Sequence, residues 1–264
     1  SVWEDLEAIA SFGFRGEALP SIAAVSRCRL ITRPENASVG SEVVIEGGVV
    51  KAVQEHPCRK GTIVEVRDLF FNTPARRKFL KAESTELGNI LDVVSRMALS
   101  ALQVRFTLKV SGKALLDLLP TKDLLPRVTA LLGEEASGSL LELHGEKDGI
   151  RLQGLLGNPT LTRGNRKGIH LFVNRRWVRS LPLSYAIQAG YHGRLMEGRY
   201  PVAVLFVDLD LKRVDVNVHP TKQEVRISRE PEITACIRQA VEECLGRSAP
   251  RPAASSQAGN GARE

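Results

Sequence analysis

Gly61-Thr-Ile-Val-Glu-Val-Arg-Asp68-Leu-Phe-Phe-Asn72-Thr-Pro-Ala-Arg-Arg-Lys78 changes character twice in eighteen residues. Its first part is rich in β-branched residues after a glycine and predicts a strand over 61–66. Asn72-Thr73-Pro74 then predicts a helix N-cap with proline at the first helical position, where its missing N–H costs nothing. That reading puts Arg76, Arg77 and Lys78 in a first helical turn. Cations oppose the helix dipole there, so the placement points to an external anion or to a solvated face. Ile90, Val94, Met97 and Ala101 then recur at helical spacing.

The same alternation extends to both sides. Upstream, 3–10 reads as helical and 18–25 is apolar-periodic. β-like runs follow at 28–32, 41–46 and 49–54, separated by Gly, Pro and Asn. Downstream, 105–110 reads as the last strand of a first unit. The pattern restarts near Leu119-Pro120. It gives a helix over 124–132 ended by Gly133, strands at 140–143, 150–156 and 169–173, and a helix over 180–190. An apolar strand at 202–209 and a strand region at 214–218 with 224–227 come next. A helix over 232–245 carries Ile233, Ile237, Ala240 and Cys244 on one face, with Gly246 as its stop. The fold class is α+β in two domains, 1–119 and 120–246. Residues 247–264 hold twelve Ala, Gly, Pro or Ser and read as a flexible linker.

Composition bounds the function. The chain has 264 residues with 43% hydrophobic and 25% charged side chains, ordinary values for a globular protein. No apolar run approaches the ~18–20 residues of a membrane span. The net charge of +7 equals the excess of one segment. Residues 160–199 contain Arg163, Arg166, Lys167, Arg175, Arg176, Arg179, Arg194 and Arg199 against Glu197 alone. Such an excess attracts a polyanion or forms a solvated basic face, and charge alone does not choose between them. Cys28, Cys58, Cys236 and Cys244 lack metal-ligand spacing and fit a reducing compartment, the last two as core thiols.

Three short stretches carry candidate chemistry. Gly13-Phe-Arg-Gly16 precedes a helical segment, so its backbone amides either face an anion or simply make a turn. Thr62 opens a strand, where its hydroxyl serves a ligand or only β-propensity. His219-Pro-Thr-Lys222-Gln-Glu224 lies between two strand-like runs, and a loop Lys is a mobile point charge that reaches phosphates or stays inert. No Walker A sequence occurs.

Taken together, Gly13-Phe-Arg-Gly-Glu-Ala-Leu19, Gly61-Thr62 with Asp68 to Leu80, and Val214-Asp-Val-Asn-Val-His-Pro-Thr-Lys-Gln-Glu-Val-Arg226 resemble the N-terminal ATPase region of MutL-type DNA mismatch repair proteins. The resemblance covers roughly residues 3–246 and places the chain in the GHKL group of ATPases with gyrase B. It implies a partial Bergerat-type α/β sandwich followed by a ribosomal-protein-like β-α-β domain. Gly13, Phe14, Arg15, Gly16, Glu17, Ala18 and Leu19 become the lid that wraps the ATP phosphates. Thr62 becomes a pocket residue, and Lys222 a catalytic cation reaching the γ-phosphate. Arg163, Arg166, Lys167, Arg176 and Arg179 become DNA contacts. It also implies Mg²⁺ in the intact protein, a homodimer, non-specific DNA and mismatch-recognition and downstream repair proteins as partners, no membrane, and a cytoplasmic, nucleoid-associated location (nuclear in a eukaryote). The competing classes are a non-catalytic DNA-binding scaffold and a type II topoisomerase subunit, and Asn72-Thr-Pro-Ala-Arg argues against the latter.

The family's catalytic Glu, Mg²⁺-binding Asn and adenine-reading Asp-x-Gly precede the lid, so the chain is expected to be a fragment that lacks them. A phosphate-binding loop and one Lys stabilise charge but supply no general base. Residues 1–264 with Mg²⁺ are therefore expected to show no sustained ATP turnover in a steady-state ATPase assay. Turnover that survives purification and is lost in Lys222→Ala would contradict this.

Overall fold

The computed structural model describes residues 16–215 and 226–247. The helix expected at 3–10, Gly13 to Arg15 of the lid, Lys222 and nearly all of the expected linker lie outside the described residues. The chain divides into two compact units, the boundary falling between Leu91 and Asp92.

The first unit holds α1 (Ala18–Ala23), β1 (Arg27–Arg33), β2 (Gly40–Glu46), β3 (Val49–His56), β4 (Gly61–Arg67), the single turn α2 (Pro74–Arg77) and the start of α3 (Glu83–Ser100). The four strands form one antiparallel sheet in the order β3-β2-β1-β4. Gly47 and Gly48, at φ of +57° and +85°, supply the tight β2–β3 turn that only residues tolerating positive φ accept. The pairing puts Cys28, Leu30, Val43, Ile45, Val64 and Val66 on one face. On the other, Arg29 bonds the buried Glu42, which also accepts from Gln54 Nε2 at 2.6 Å. These two hydrogen bonds, Gln54 first, hold the Glu42 carboxyl below the usual carboxylate range.

The second unit opens with the β5 (Phe106–Val110) and β6 (Lys113–Leu118) hairpin, then α4 (Leu124–Leu132), β7 (Leu140–Lys147), β8 (Ile150–Gly157), β9 (Thr162–Arg163) and β10 (Ile169–Val173). β11 (Arg176–Val178), α5 (Leu181–Gly190), β12 (Tyr200–Pro201), β13 (Ala203–Asp208), β14 (Val214–Asp215), β15 (Arg226–Ile227) and α6 (Glu230–Arg247) complete it. Its main sheet runs β11-β10-β13-β8-β7. β10 and β13 pair in parallel, with α5 as the crossover that a parallel pair requires, giving the expected β-α-β unit.

β13 decides the layering. Ala203, Leu205 and Val207 are buried with Leu183 and Ile187 of α5 and Ile233, Ile237 and Val241 of α6. Val204 and Phe206 project the opposite way, into a second cluster with Leu155, Phe172 and Val128 of α4. Phe172 and Phe206 stack there with ring centroids 4.6 Å apart. A strand apolar on both faces must be covered twice, and helices of this unit cover each side.

The structure corrects four readings. Arg76 and Arg77 close a four-residue turn as well as opening it, with Lys78 as its C-cap, so the cations sit where the dipole favours them and no external anion is required. β5 is not a terminal strand: Ser111-Gly112, both at positive φ, return the chain as β6. β11 was not read from the sequence at all. α6 continues through Gly246 to Arg247.

At Gly154 of β8 an added Cβ would lie 2.0 Å from the Val204 carbonyl oxygen and 3.0 Å from the Leu205 Cα, both backbone atoms of β13. Neither can yield without parting the β8–β13 ladder. Gly154→Ala is expected to lower stability by about 1–3 kcal/mol or more, seen as a reduced urea midpoint at unchanged slope.

Candidate functional site

In the first unit, the conspicuous sequence motif turns out to be a clamp on α1. Asn72 Nδ2 donates to the Ala24 carbonyl at 2.9 Å, Phe70 N–H to Val25 O at 2.7 Å, and Gly48 N–H to Ala23 O at 2.9 Å. Phe71 lies under the Arg27 guanidinium, 4.9 Å from its ring centroid, and Arg27 also pairs with Asp68 at 2.6 Å. The C-terminal end of α1 is thereby tied by three hydrogen bonds to two separate segments, residues 70–72 and the β2–β3 turn.

Its other end is open. Gly16, Glu17, Ala18 and Leu19 are all exposed. Gly16 has φ +65°, and a Cβ built on it meets nothing within 4 Å. Glu17 is the N-cap and makes no side-chain capping bond. Thr62 sits on the edge strand β4 with its hydroxyl 2.8 Å from that of Thr32. The segment therefore offers a left-handed glycine and accessible backbone amides, a surface that fits a phosphate chain. Mg²⁺ is not matched: among the described residues, no group of three His, Cys, Asp or Glu side chains gathers as a metal site.

In the second unit, the predicted DNA-contact residues share one region but not one condition. Arg163 and Arg179 are exposed. Lys167 is exposed and pairs with Asp92 at 3.7 Å. Arg166 is half-buried, its guanidinium 4.4 Å from the Tyr185 ring centroid and 5.3 Å from that of Tyr200. Arg176 is half-buried on β11, and burial pushes its guanidinium below the usual value. Arg199, absent from the predicted contacts, bonds Thr162 Oγ1 through Nε at 2.9 Å. Arg96, on α3, stacks on Trp177 at 3.8 Å and pairs with Asp92 at 3.9 Å. Nothing in the sequence pattern distinguished stacked arginines from free ones.

The family model for the DNA mismatch repair protein, C-terminal domain, matches residues 128–246. The DNA mismatch repair protein MutL of Symbiobacterium thermophilum is 48% identical over 244 residues, covering 92% of this chain and 38% of the relative. The solved Aquifex aeolicus MutL ATPase domain complexed with ADP is 31% identical at a TM-score of 0.61, covering 78% of this chain and 75% of that one. The chain belongs to the MutL family of DNA mismatch repair proteins. The B-subunit of Myxococcus xanthus DNA gyrase, at 16% identity and a TM-score of 0.50 over 92% of this chain and 76% of that one, shares the fold alone. The architecture is thus the α+β arrangement of GHKL ATPase domains. The chain spans about two-fifths of the length of the curated relatives it matches.

His170 of β10 adds a pH-dependent term to the basic region. Burial first, and the nearby Arg96 second, depress its pKa to about 4, against a smaller opposing effect of Asp92. Between pH 6.5 and 4 the unfolded chain binds a proton on this imidazole that the folded chain rejects. Stability therefore falls as pH drops through that window, by about 3 kcal/mol for a shift of this size. His170→Gln is expected to lose less stability than the parent between pH 7 and 4, measured by urea unfolding at each pH.

Proposed function

We propose that this chain is the lid-bearing, DNA-engaging portion of a mismatch repair factor that binds ATP, dimerises in response, and couples mismatch recognition to downstream repair enzymes. The observation that carries the reading is the open Gly16–Leu19 segment on a helix clamped at its other end, in a chain of this family. A fixed C-terminal end and an exposed N-terminal end let the segment close on a ligand without unfolding the sheet behind it.

In this reading the backbone amides from Gly13 to Leu19 hold the phosphates, Thr62 contributes a hydroxyl to the pocket, and Lys222 supplies a charge at the γ-phosphate. Bound ATP supplies the cleavable phosphoanhydride. This chain's own part is to bind, orient and close. Among the described residues, none is assigned to Mg²⁺. The partners are DNA without sequence preference, a second copy of the longer protein, and other repair proteins, in the cytoplasm or nucleus.

Two experiments test it. In the longer protein, Lys222→Ala removes one charge-assisted phosphate contact worth about 1.5–3 kcal/mol. kcat/KM for ATP should fall about 10- to 150-fold in a steady-state assay with the fold intact by circular dichroism. An unchanged value would make Lys222 an ordinary surface lysine.

For DNA, the exposed pair Arg163 and Arg179 is the informative target, because Arg166 and Arg176 are partly buried. Arg163→Glu with Arg179→Glu should weaken binding to unrelated duplexes alike. The slope of log K against log salt should fall by about 0.9 per lost phosphate contact. Fluorescence anisotropy over a salt series reads both quantities. Unchanged affinity and slope would make the basic segment a solvated face.

A further inference from the structure

At the end of α1 and just past it, five carbonyls in succession each accept a hydrogen bond. Ile22 O takes the Ser26 hydroxyl at 2.7 Å, Ala23 O the Gly48 N–H at 2.9 Å and Ala24 O the Asn72 amide at 2.9 Å. Val25 O takes the Phe70 N–H at 2.7 Å and Ser26 O the Gly47 N–H at 3.0 Å. Carbonyls at a helix end lack intrahelical partners and usually turn to water or a local cap. Here four of the five donors come from residues 47–48 and 70–72, far away in sequence. Three of those four are backbone groups. Asn72 alone donates over that distance through its side chain, so this bond alone depends on residue type.

The loop that presents Asn72 is held in a costly shape. Asp68 and Phe70 have φ of +51° and +64°, a region that bulky L residues avoid. Such conformations persist only where the surroundings impose them. Asp68 is fixed by the Arg27 guanidinium at 2.6 Å, and the Phe71 ring lies under the same group. Gly47 closes the opposite side, where an added Cβ would stand 3.3 Å from Asn72 Nδ2 and 3.4 Å from Phe71 Cζ. The amide is thus confined between a glycine turn and the Ala24 carbonyl. Asn72 is nevertheless exposed and buries little surface, so what the strained loop preserves is the aim of its Nδ2.

We propose that Asn72 is a positioning residue for the nucleotide segment Gly16–Leu19. It touches no phosphate and acts by fixing the direction in which α1 leaves the sheet. α1 has six residues, about 9 Å of helix, so a tilt at its carbonyl end carries straight through to the Gly16–Leu19 backbone. The proposal rests on the reading of that segment as the one that holds phosphates, and adds what aims it before a ligand arrives. With the Asn72 bond made, the segment is pre-organised and binding costs less ordering entropy. Without it the free protein is looser while the bound complex keeps its geometry. The loss falls on affinity, and turnover at saturation is spared.

The test uses the longer protein with Asn72→Ala and with Asn72→Asp, which keeps the shape but puts an acceptor where the donor was. One neutral hydrogen bond corresponds to about 2- to 13-fold, so KM for ATP should rise by that factor in Asn72→Ala and by more in Asn72→Asp. In both variants kcat should stay within about twofold of the parent. Because Asn72 is exposed, the parent circular dichroism spectrum is expected of both. Amide hydrogen exchange, read by mass spectrometry, should speed up over 16–25 in the free variants and leave β1 to β4 unchanged. Saturating ATP should return it to the parent rate. Unchanged KM, a fall in kcat at unchanged KM, an Asn72→Asp protein that behaves as the parent, or faster exchange spread through the sheet would overturn the assignment. Any of these beside a Lys222→Ala protein that still loses ATP removes the role of Asn72 alone. A parent protein whose exchange over 16–25 ignores ATP removes the phosphate-holding reading of the segment, and this role with it.

Discussion

A strand that is apolar on both faces sets the terms for the second unit. Ala203, Leu205 and Val207 alternate with Val204 and Phe206 along β13, and all five are buried. Such a strand is stable only at the interior of a sheet that is covered twice. Five strands place it centrally, α5 and α6 close one side, and α4 closes the other. The requirement reaches further, to residues that never touch a ligand. Gly154 exists because the neighbouring backbone approaches too closely for a side chain. Gly190 of α5 is similar: an added Cβ there would lie 2.6 Å from the Val241 side chain of α6. Close packing of this kind transmits small changes in volume directly into strain. The loops that carry the arginines are then displayed from a rigid base.

Much of this fold was legible in the sequence, and the reasons differ by element. Strands β1 to β4 were readable because β-branched runs alternate with glycines and polar turns, and their lengths matched to within two residues at each end. α6 was readable from Ile233, Ile237, Ala240 and Cys244, which share one face and are all buried. Gly246 misled because the penalty of one glycine in a last turn is only about 1 kcal/mol, too small to end a helix by itself. β6 and β11 were missed for another reason. Each follows a two-residue turn at positive φ, Ser111-Gly112 and Asn174-Arg175. Arginine at such a φ leaves no sequence signature, whereas Ser-Gly did carry one that could have been used.

The candidate sites were legible to a smaller degree. Gly16 to Leu19 were marked by their glycine spacing, and their exposure agrees with an open segment. Asn72 was read as part of a helix cap, but its side chain bonds the Ala24 carbonyl forty-eight residues away in sequence. The two readings use opposite ends of the amide: a helix N-cap accepts through its oxygen from a backbone N–H, whereas here Nδ2 donates to a carbonyl. No local pattern specifies that tertiary partner. Pro74 at the first helical position was correctly placed, yet the turn it opens lasts four residues.

The arginines show why a charge count overstates a binding surface. Eight cations fall in residues 160–199, and their excess equals the net charge of the whole chain. Arg166 is stacked on two tyrosines, Arg199 is bound to Thr162, and Lys167 pairs with Asp92. Arg176 is half-buried, and its guanidinium is desolvated. Each of these side chains has surrendered part of its mobility to the protein itself, and the half-buried Arg166 and Arg176 some of their hydration as well. Immobilising a long side chain costs up to about 2 kcal/mol of rotamer entropy, and here folding has already imposed much of that cost. A ligand meeting a held arginine pays less to order it than one meeting a free arginine. The exposed Arg179, and the exposed Arg163, whose Nη1 reaches only the adjacent Thr162 carbonyl at 3.3 Å, therefore suit salt-sensitive, sequence-blind attraction. The stacked and bonded pair, Arg166 and Arg199, suits a contact in which geometry as well as charge is recognised.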